Sequence, residues 1–225
     1  MARAPSSWPD ALLAVAAKDI LLELRTRYAL SSLAMFALVT LSGVSMTLSG
    51  AALSPELAAA LLWIILFFCA MAGLSRSFVG EQEAGTLFAL RLYAPAQAVL
   101  FGKLLFNLIM LGGLTVLTVP LYIAFLNVDI PLGADIILIL LLGITGIAAV
   151  STLTAAMVAG TQGTGALFAV ITFPVLLPQF LAAVSNTAKV LQHSGPGWRD
   201  LAFMAGYDAV ICIAASILFD YLWHD

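Results

Sequence analysis

The sequence predicts an all-α, polytopic membrane protein. Hydrophobic residues make up 63% of its 225 residues, charged residues only 9%, and the mean hydropathy is +1.10. A soluble domain of this length needs far more charge to cover its surface. The apolar runs are continuous rather than alternating, which argues against a β-barrel. We therefore expect a single membrane domain over residues 1-225, with six spanning helices, an interfacial N-terminal helix and a short helix between spans 2 and 3.

Residues 8-28 are predicted to form the N-terminal amphipathic helix. Pro9 suits a first helical turn. One arc at helical spacing carries the apolar side chains Leu13, Ala17, Ile20, Leu21, Leu24 and Tyr28. Such a helix lies in the membrane interface, with its basic residues at headgroup depth. The alternative is an extension of the first span into water. No cleavable signal peptide is expected, because charges are mixed throughout residues 1-27.

Six apolar stretches are long enough to cross a hydrocarbon core of about 30 Å at about 1.5 Å per residue. They cover residues 29-48, 57-74, 96-126, 136-157, 166-184 and 201-223. Pro174 and Pro178 lie in the fifth stretch, where each removes a helix hydrogen bond. We therefore expect this element to be kinked or broken, and a polar loop to follow it over residues 185-200.

Lysine and arginine are distributed unevenly between the two predicted sides of the membrane. The side that holds the N-terminus carries Arg3, Lys18, Arg25, Arg27, Arg76, Arg91 and Lys103. The opposite side carries only Lys189 and Arg199. Because basic loops stay in the cytoplasm, this distribution places both termini and residues 76-103 on the cytoplasmic side.

Residues 76-103 form a polar segment between the second and third spans. Glu81 and Glu83 are favoured near the positive end of a short helix, and Arg91 near its negative end. Gly85 is expected to interrupt this helix. Apolar contact is offered by Leu87, Phe88 and Leu90. Two interpretations stay open: a docking element for a soluble partner, or an interfacial linker without one.

The order of elements resembles the six-span permease subunits of ABC exporters. Within them, LSRSF at 74-78, EAGTL at 83-87 and YAP at 93-95 with the later Gly102-Lys103 pair resemble the haem exporter protein B family of cytochrome c maturation. The fifth span, with FPVLLP at 173-178, is similar to that family's twin-proline helix. The chain departs from the family pattern at Ala84, where Asp is usual, and at Phe88-Ala89, where acid and amide residues are usual.

This resemblance implies a CcmB-type permease subunit that forms a homodimer in the cell inner membrane. It exports haem, or drives haem release to a periplasmic chaperone, for cytochrome c maturation. ATP hydrolysis is expected in a separate CcmA-type subunit, and a haem-handling CcmC-type protein and a small CcmD-type protein complete the complex. An exporter of another substrate (lipid, drug or polysaccharide) and a non-conducting scaffold for the ATPase and haem-handling subunits are the alternatives.

By the same analogy, residues 81-91 form the coupling helix that contacts the ATPase. The implied docking residues are Glu81, Glu83, Gly85, Thr86, Leu87, Leu90 and Arg91. Consistent with a separate ATPase, the sequence has no GxxxxGK[ST] phosphate loop. It has no HExxH or other metal-ligand cluster either. We therefore expect no enzymatic activity, no metal, no resident cofactor and no nucleic-acid partner.

Polar residues inside the predicted spans are further candidates. Asp208 is an acid within a span, a position that generally marks function, although an interfacial acid bonded to a neighbour is the favoured interpretation. Asn107 and Gln179 can hydrogen-bond across helices. Carbonyls freed by Pro174 and Pro178 need cover from protein or water. These five residues define a possible translocation path or dimer seam. His193 could ligate a haem iron transiently, but a solvated loop histidine is favoured.

Overall fold

The computed structural model describes residues 7-74, 78, 81, 85-86, 90, 92, 94-159 and 164-224. Within these residues the chain forms α1 (Trp8–Thr26), α2 (Tyr28–Leu48), α3 (Pro55–Leu74), α4 (Ala96–Leu126), α5 (Ala134–Val158), α6 (Thr164–Leu191) and α7 (Trp198–His224). The six helices from α2 to α7 contain stretches that are long and apolar enough to cross a membrane. This confirms the predicted helical class and the number of candidate spans.

The first helix turns away from α2 and packs along the beginning of α4. Arg27 adopts a left-handed conformation with φ 53°, and its N–H donates to the Glu23 carbonyl at 2.6 Å. This break makes α1 and α2 two separate helices. The predicted apolar arc faces away from the other helices, because Leu13, Leu21 and Leu24 are all more than half exposed.

Close contact between α1 and α4 depends on Gly102. A Cβ atom at this position would lie 2.8 Å from the Cβ of Val15 and 2.9 Å from the carbonyl oxygen of Leu12. Both distances are shorter than real carbon contacts, so a side chain here would push the helices apart. Ala11, Val15 and Ala16 are buried on the opposing face of α1. Small side chains on both helices thus bring α1 next to the following residue, Lys103.

The remaining helices pack around α3 and α5, the two most enclosed candidate spans. Large polar aromatic side chains in this core have hydrogen-bond partners. The indole of Trp63 donates to Thr187 Oγ1 at 2.8 Å, and the Tyr122 hydroxyl donates to the Ala58 carbonyl at 2.7 Å. Because a buried polar group without a partner is costly, these bonds fix how α3 sits against α4 and α6.

The structure corrects the predicted end of the fifth span, because α6 extends to Leu191, into the loop predicted for residues 185-200. Of the two forms predicted at Pro174 and Pro178, kinked or broken, the broken one is ruled out, because the helix continues through both prolines. Two polar side chains in this extension, Asn186 and Lys189, have a hydrogen-bond or ion-pair partner. Asn186 accepts from the N–H of Gly197 at 3.1 Å, and Lys189 pairs with Asp200 at 2.5 Å. The connecting loop is therefore reduced to residues 192-197.

Candidate functional site

Four charged side chains meet where α1 packs against α4, and we call Lys18, Asp19, Glu81 and Lys103 the ion cluster. Lys103 Nζ lies 2.9 Å from Asp19 Oδ2 and 3.3 Å from Glu81 Oε1. Lys18 Nζ hydrogen-bonds Glu81 Oε1 and lies 3.4 Å from Asp19 Oδ1. The side chain of Lys103 is 1% exposed, and those of Glu81 and Asp19 are 7% and 8% exposed. Two cations thus balance two anions; Lys103, Asp19 and Glu81 are buried, whereas the side chain of Lys18 is 44% exposed.

Three separate parts of the chain contribute to the ion cluster. Lys18 and Asp19 are neighbours on α1, Lys103 lies in the third turn of α4, and Glu81 comes from the segment between α3 and α4. Phe78 from the same segment places its ring centroid 5.2 Å from Lys103 Nζ, a favourable cation–π contact. The ion cluster therefore holds the segment between the second and third candidate spans against α1 and α4.

The surroundings keep Glu81 and Lys18 charged at neutral pH. Burial would raise the pKa of the Glu81 carboxyl, but Lys103 and the hydrogen bonds from Lys18 and Thr86 lower it to about 2. Burial would lower the pKa of Lys18, but its hydrogen bond to Glu81 and the charge of Asp19 raise it overall. Ionised partners in a buried contact depend strongly on one another, since an unpaired charge there is costly.

The predicted interruption at Gly85 is confirmed. Gly85 has φ 67°, and the N–H of Thr86 donates to the carbonyl of Glu81 at 3.0 Å, the 6→1 bond of a Schellman helix end. Thr86 Oγ1 also donates to Glu81 Oε2 at 2.5 Å. The Thr86 carbonyl then accepts from the N–H of Leu90 at 3.0 Å. Residues 81-91 consequently do not form one continuous helix, because the backbone turns at Gly85 and Thr86.

The residues predicted to dock a partner are placed differently from one another. Gly85 and Thr86 are exposed and Leu90 is half-buried. Glu81 is buried, and its side chain points into the ion cluster. Glu83, Leu87 and Arg91 lie outside the described residues. Among the described residues of 81-91, the exposed ones are therefore Gly85 and Thr86 at the turn.

Sequence reasoning missed the partners of Glu81. It counted Lys18 and Lys103 in the cytoplasmic charge bias and connected neither of them with Glu81. One signal was available, because Lys103 is the single charge in the apolar stretch 96-126 and a buried lysine needs an acidic partner. The identity of that partner depends on the crossing of α1 and α4.

The residues predicted as a translocation path or dimer seam do not form one site. Gln179 and Asp208 are buried and in contact, with 2.9 Å between Gln179 Nε2 and Asp208 Oδ1. Asn107 is also buried but donates elsewhere, to Thr152 Oγ1 at 2.8 Å. Both prolines are exposed on the outside of α6. Asp208 lies ten residues into α7, and the hydrogen bond from Gln179 is the bond to a neighbour expected from the sequence.

Two features concern haem and metal ligands. His193 is exposed in the loop between α6 and α7, with φ 57°. Among the residues that the structure describes, no group of three His, Cys, Asp or Glu side chains could hold a metal ion.

Together these features define a multi-pass helical membrane protein whose segment between the second and third candidate spans is fixed by buried charges. The family model described as CcmB protein matches residues 10–219, so the chain belongs to the CcmB family. This is a family of membrane permease subunits in haem-export ABC systems, which places the chain in haem transport and cytochrome c biogenesis. The family generally works with the ATP-binding CcmA and with CcmC. No curated protein and no solved structure matched the chain.

Proposed function

We propose that this chain is the permease subunit of an ABC complex that exports haem, or drives haem release to a periplasmic chaperone, during cytochrome c maturation. The complex contains a CcmA-type ATPase, a CcmC-type haem-handling protein, a CcmD-type small protein and a second copy of the permease. It lies in the inner membrane with both permease termini in the cytoplasm. The observation that carries this proposal is the match of the CcmB family model to residues 10–219. The ion cluster adds a fixed connection between the segment that joins the second and third spans and two helices.

We infer that residues 81-91 receive the movement of the ATPase. The exposed turn at Gly85 and Thr86 offers a surface to a soluble partner. Behind it, Glu81 acts as a positioning residue, because its carboxylate is held by Lys103 on α4 and Lys18 on α1. A displacement of the turn would therefore be passed to both helices through short, buried ion pairs.

The first helix completes this arrangement as an interfacial element. Its exposed leucines at positions 13, 21 and 24 are available to the headgroup region of the bilayer, while Lys18 and Asp19 join the ion cluster. Movement of residues 81-91 would thus be resisted by α1, because α1 is anchored in the membrane surface. The exposed face of α6, with Pro174 and Pro178, is the corresponding surface for a second copy.

Transport can be tested with the chain reconstituted in vesicles together with its ATPase and haem-handling partners. We expect ATP-dependent accumulation of haem across the vesicle membrane, and none with an ATPase subunit that cannot hydrolyse ATP. A haem-binding reporter protein enclosed in the vesicles would record it. If the chaperone is released while haem stays in place, the chain acts as a scaffold and the export proposal fails. A lipid or drug transported in place of haem would favour another substrate.

The orientation can be tested with a single added cysteine at an exposed loop position. Asp129 is exposed between α4 and α5, on the side predicted to be periplasmic. In a variant that lacks the native Cys69 and Cys212, Asp129→Cys should react with a membrane-impermeant maleimide from outside the cell. Ser7→Cys, at the start of α1, should react only after the membrane is opened. The reverse pattern would overturn the proposed topology.

A further inference from the structure

A buried acid lies far from the ion cluster. Asp208 is ten residues from the start of α7, or about 15 Å along the helix at about 1.5 Å per residue. It is 6% exposed. A carboxylate at such a depth is costly in a membrane unless it is paired or neutral, so the groups around it decide its state.

Three helices enclose the Asp208 side chain. Gln179 on α6 is 1% exposed, and its Nε2 donates to Asp208 Oδ1 at 2.9 Å and to the Leu142 carbonyl at 3.2 Å. On α5, a Cβ atom added to Gly146 would lie only 2.6 Å from Asp208 Oδ1. The backbone of α5 therefore packs directly against the Asp208 carboxyl group and leaves no space for another side chain.

Two oxygen atoms in this site have no hydrogen-bond partner among the residues that the structure describes. They are Asp208 Oδ2 and Gln179 Oε1. Both are acceptors when Asp208 is ionised, so neither can satisfy the other. Gln179 Oε1 and Gln179 Nε2 are bonded to the same carbon, and Nε2 already donates to the Asp208 carboxyl group. A single proton on Asp208 Oδ2 would turn one of the two acceptors into a donor.

The charged groups nearby do not supply a counterion. On α7 the titratable neighbours of Asp208 are Tyr207 and Cys212. The helices packed against α7 are α4, α5 and α6, and their charged side chains are Lys103, Asp135 and Lys189, respectively. Lys103 and Lys189 are engaged in ion pairs with other acids, and Asp135 lies in the first turn of α5. Within the described residues, Asp208 has no salt-bridge partner. An unpaired buried carboxylate costs several kcal/mol, and such groups are neutralised instead.

We propose that Asp208 and Gln179 form a proton-binding site in the membrane body. Asp208 carries the proton on Oδ2 and donates it to Gln179 Oε1, while Gln179 Nε2 donates to Asp208 Oδ1. This reciprocal acid–amide pair satisfies both unpartnered oxygens and joins α6 to α7. A bound metal cation fits less well, because two free oxygens are fewer than hard cations require. Separation of α6 from α7 would expose the proton for exchange, so the site would respond to helix movement and to pH.

Infrared spectroscopy of the reconstituted full chain tests this site directly. At neutral pH, the difference spectrum between wild type and Asp208→Asn should contain the C=O stretching band of a protonated carboxyl group, shifted in heavy water. Gln179→Leu should keep the band but move it to higher frequency, because the hydrogen bond to the amide is lost. At pH values above the titration midpoint the band should fall about tenfold per pH unit.

The control is Asp129→Asn, which makes the same chemical change at an exposed acid. It should remove carboxylate bands and no protonated-carboxyl band. Carboxylate bands assigned to Asp208 that do not respond to salt would show an ionised group and overturn the proposal. Carboxylate bands that shift on addition of sodium would show a cation site and also overturn it. An unchanged band position in Gln179→Leu would exclude the pairing with the amide.

Discussion

Replacement of Lys103 by methionine should destabilise the chain by about 3–5 kcal/mol, the usual result of removing one partner from a buried ion pair. Lys103 is 1% exposed and contacts both acids of the ion cluster. Without it, Asp19 and Glu81 remain buried with only the half-exposed Lys18 to balance them. Denaturant unfolding in detergent, followed by tryptophan fluorescence, would measure the loss.

A matched control is available at the other end of the molecule. Lys189 and Asp200 form a pair whose side chains are 39% and 41% exposed, so Lys189→Met should cost no more than about 1 kcal/mol. A triple variant, Lys103→Met with Asp19→Asn and Glu81→Gln, should recover part of the stability, because no unpaired acid stays buried. Equal stability of Lys103→Met and Lys189→Met would show that the ion cluster does not hold the segment.

Changes in residues 81-91 should weaken the capture of the ATP-binding subunit. We expect Glu83→Lys and Leu87→Asp each to weaken association by at least about 2 kcal/mol, or about 30-fold in affinity, the size typical of an interface hot spot. The physical reason is that Glu83→Lys reverses a charge in the proposed contact with the ATPase. Leu87→Asp places an acid where the contact would bury a leucine. Co-purification of the ATPase with the variant permease, followed by titration in detergent, would measure this effect.

The controls carry the same chemical changes on the opposite loop. Asp129→Lys and Leu132→Asp alter exposed side chains between α4 and α5 and should leave ATPase association unchanged. All four variants should unfold at similar denaturant concentrations, which separates docking from stability. Unchanged association of Glu83→Lys and Leu87→Asp would remove the coupling role from residues 81-91. The same result would not contradict the proposed proton site at Asp208.

The spans were predictable because a membrane places a simple requirement on sequence. About 20 consecutive apolar residues are needed to cross the hydrocarbon core, and each predicted stretch coincides with a helix in the structure. Helix ends were less predictable. α6 extends to Leu191 because Asn186 and Lys189 bond to residues of the following loop and of α7, contacts that local polarity does not reveal.

The candidate site was predictable only in its position along the chain. The charged segment between the second and third spans was apparent from its composition, and Gly85 from its preference for positive φ. The sequence assigned Glu81 to an outward contact, whereas the structure turns its side chain toward Lys103. That reversal depends on how closely α1 approaches α4 at Gly102, a tertiary contact.

The sequence by itself determined the class, the six candidate spans and the family, because each depends on local hydrophobicity or on short motifs. Only the tertiary structure decided that α1 is separate from the first span and which charged and polar side chains are paired. Lys103 and Asp19 are 84 residues apart in the chain, and Gln179 and Asp208 are 29 residues apart. In a water-free interior a charge is stable only beside its partner, and helix packing selects that partner.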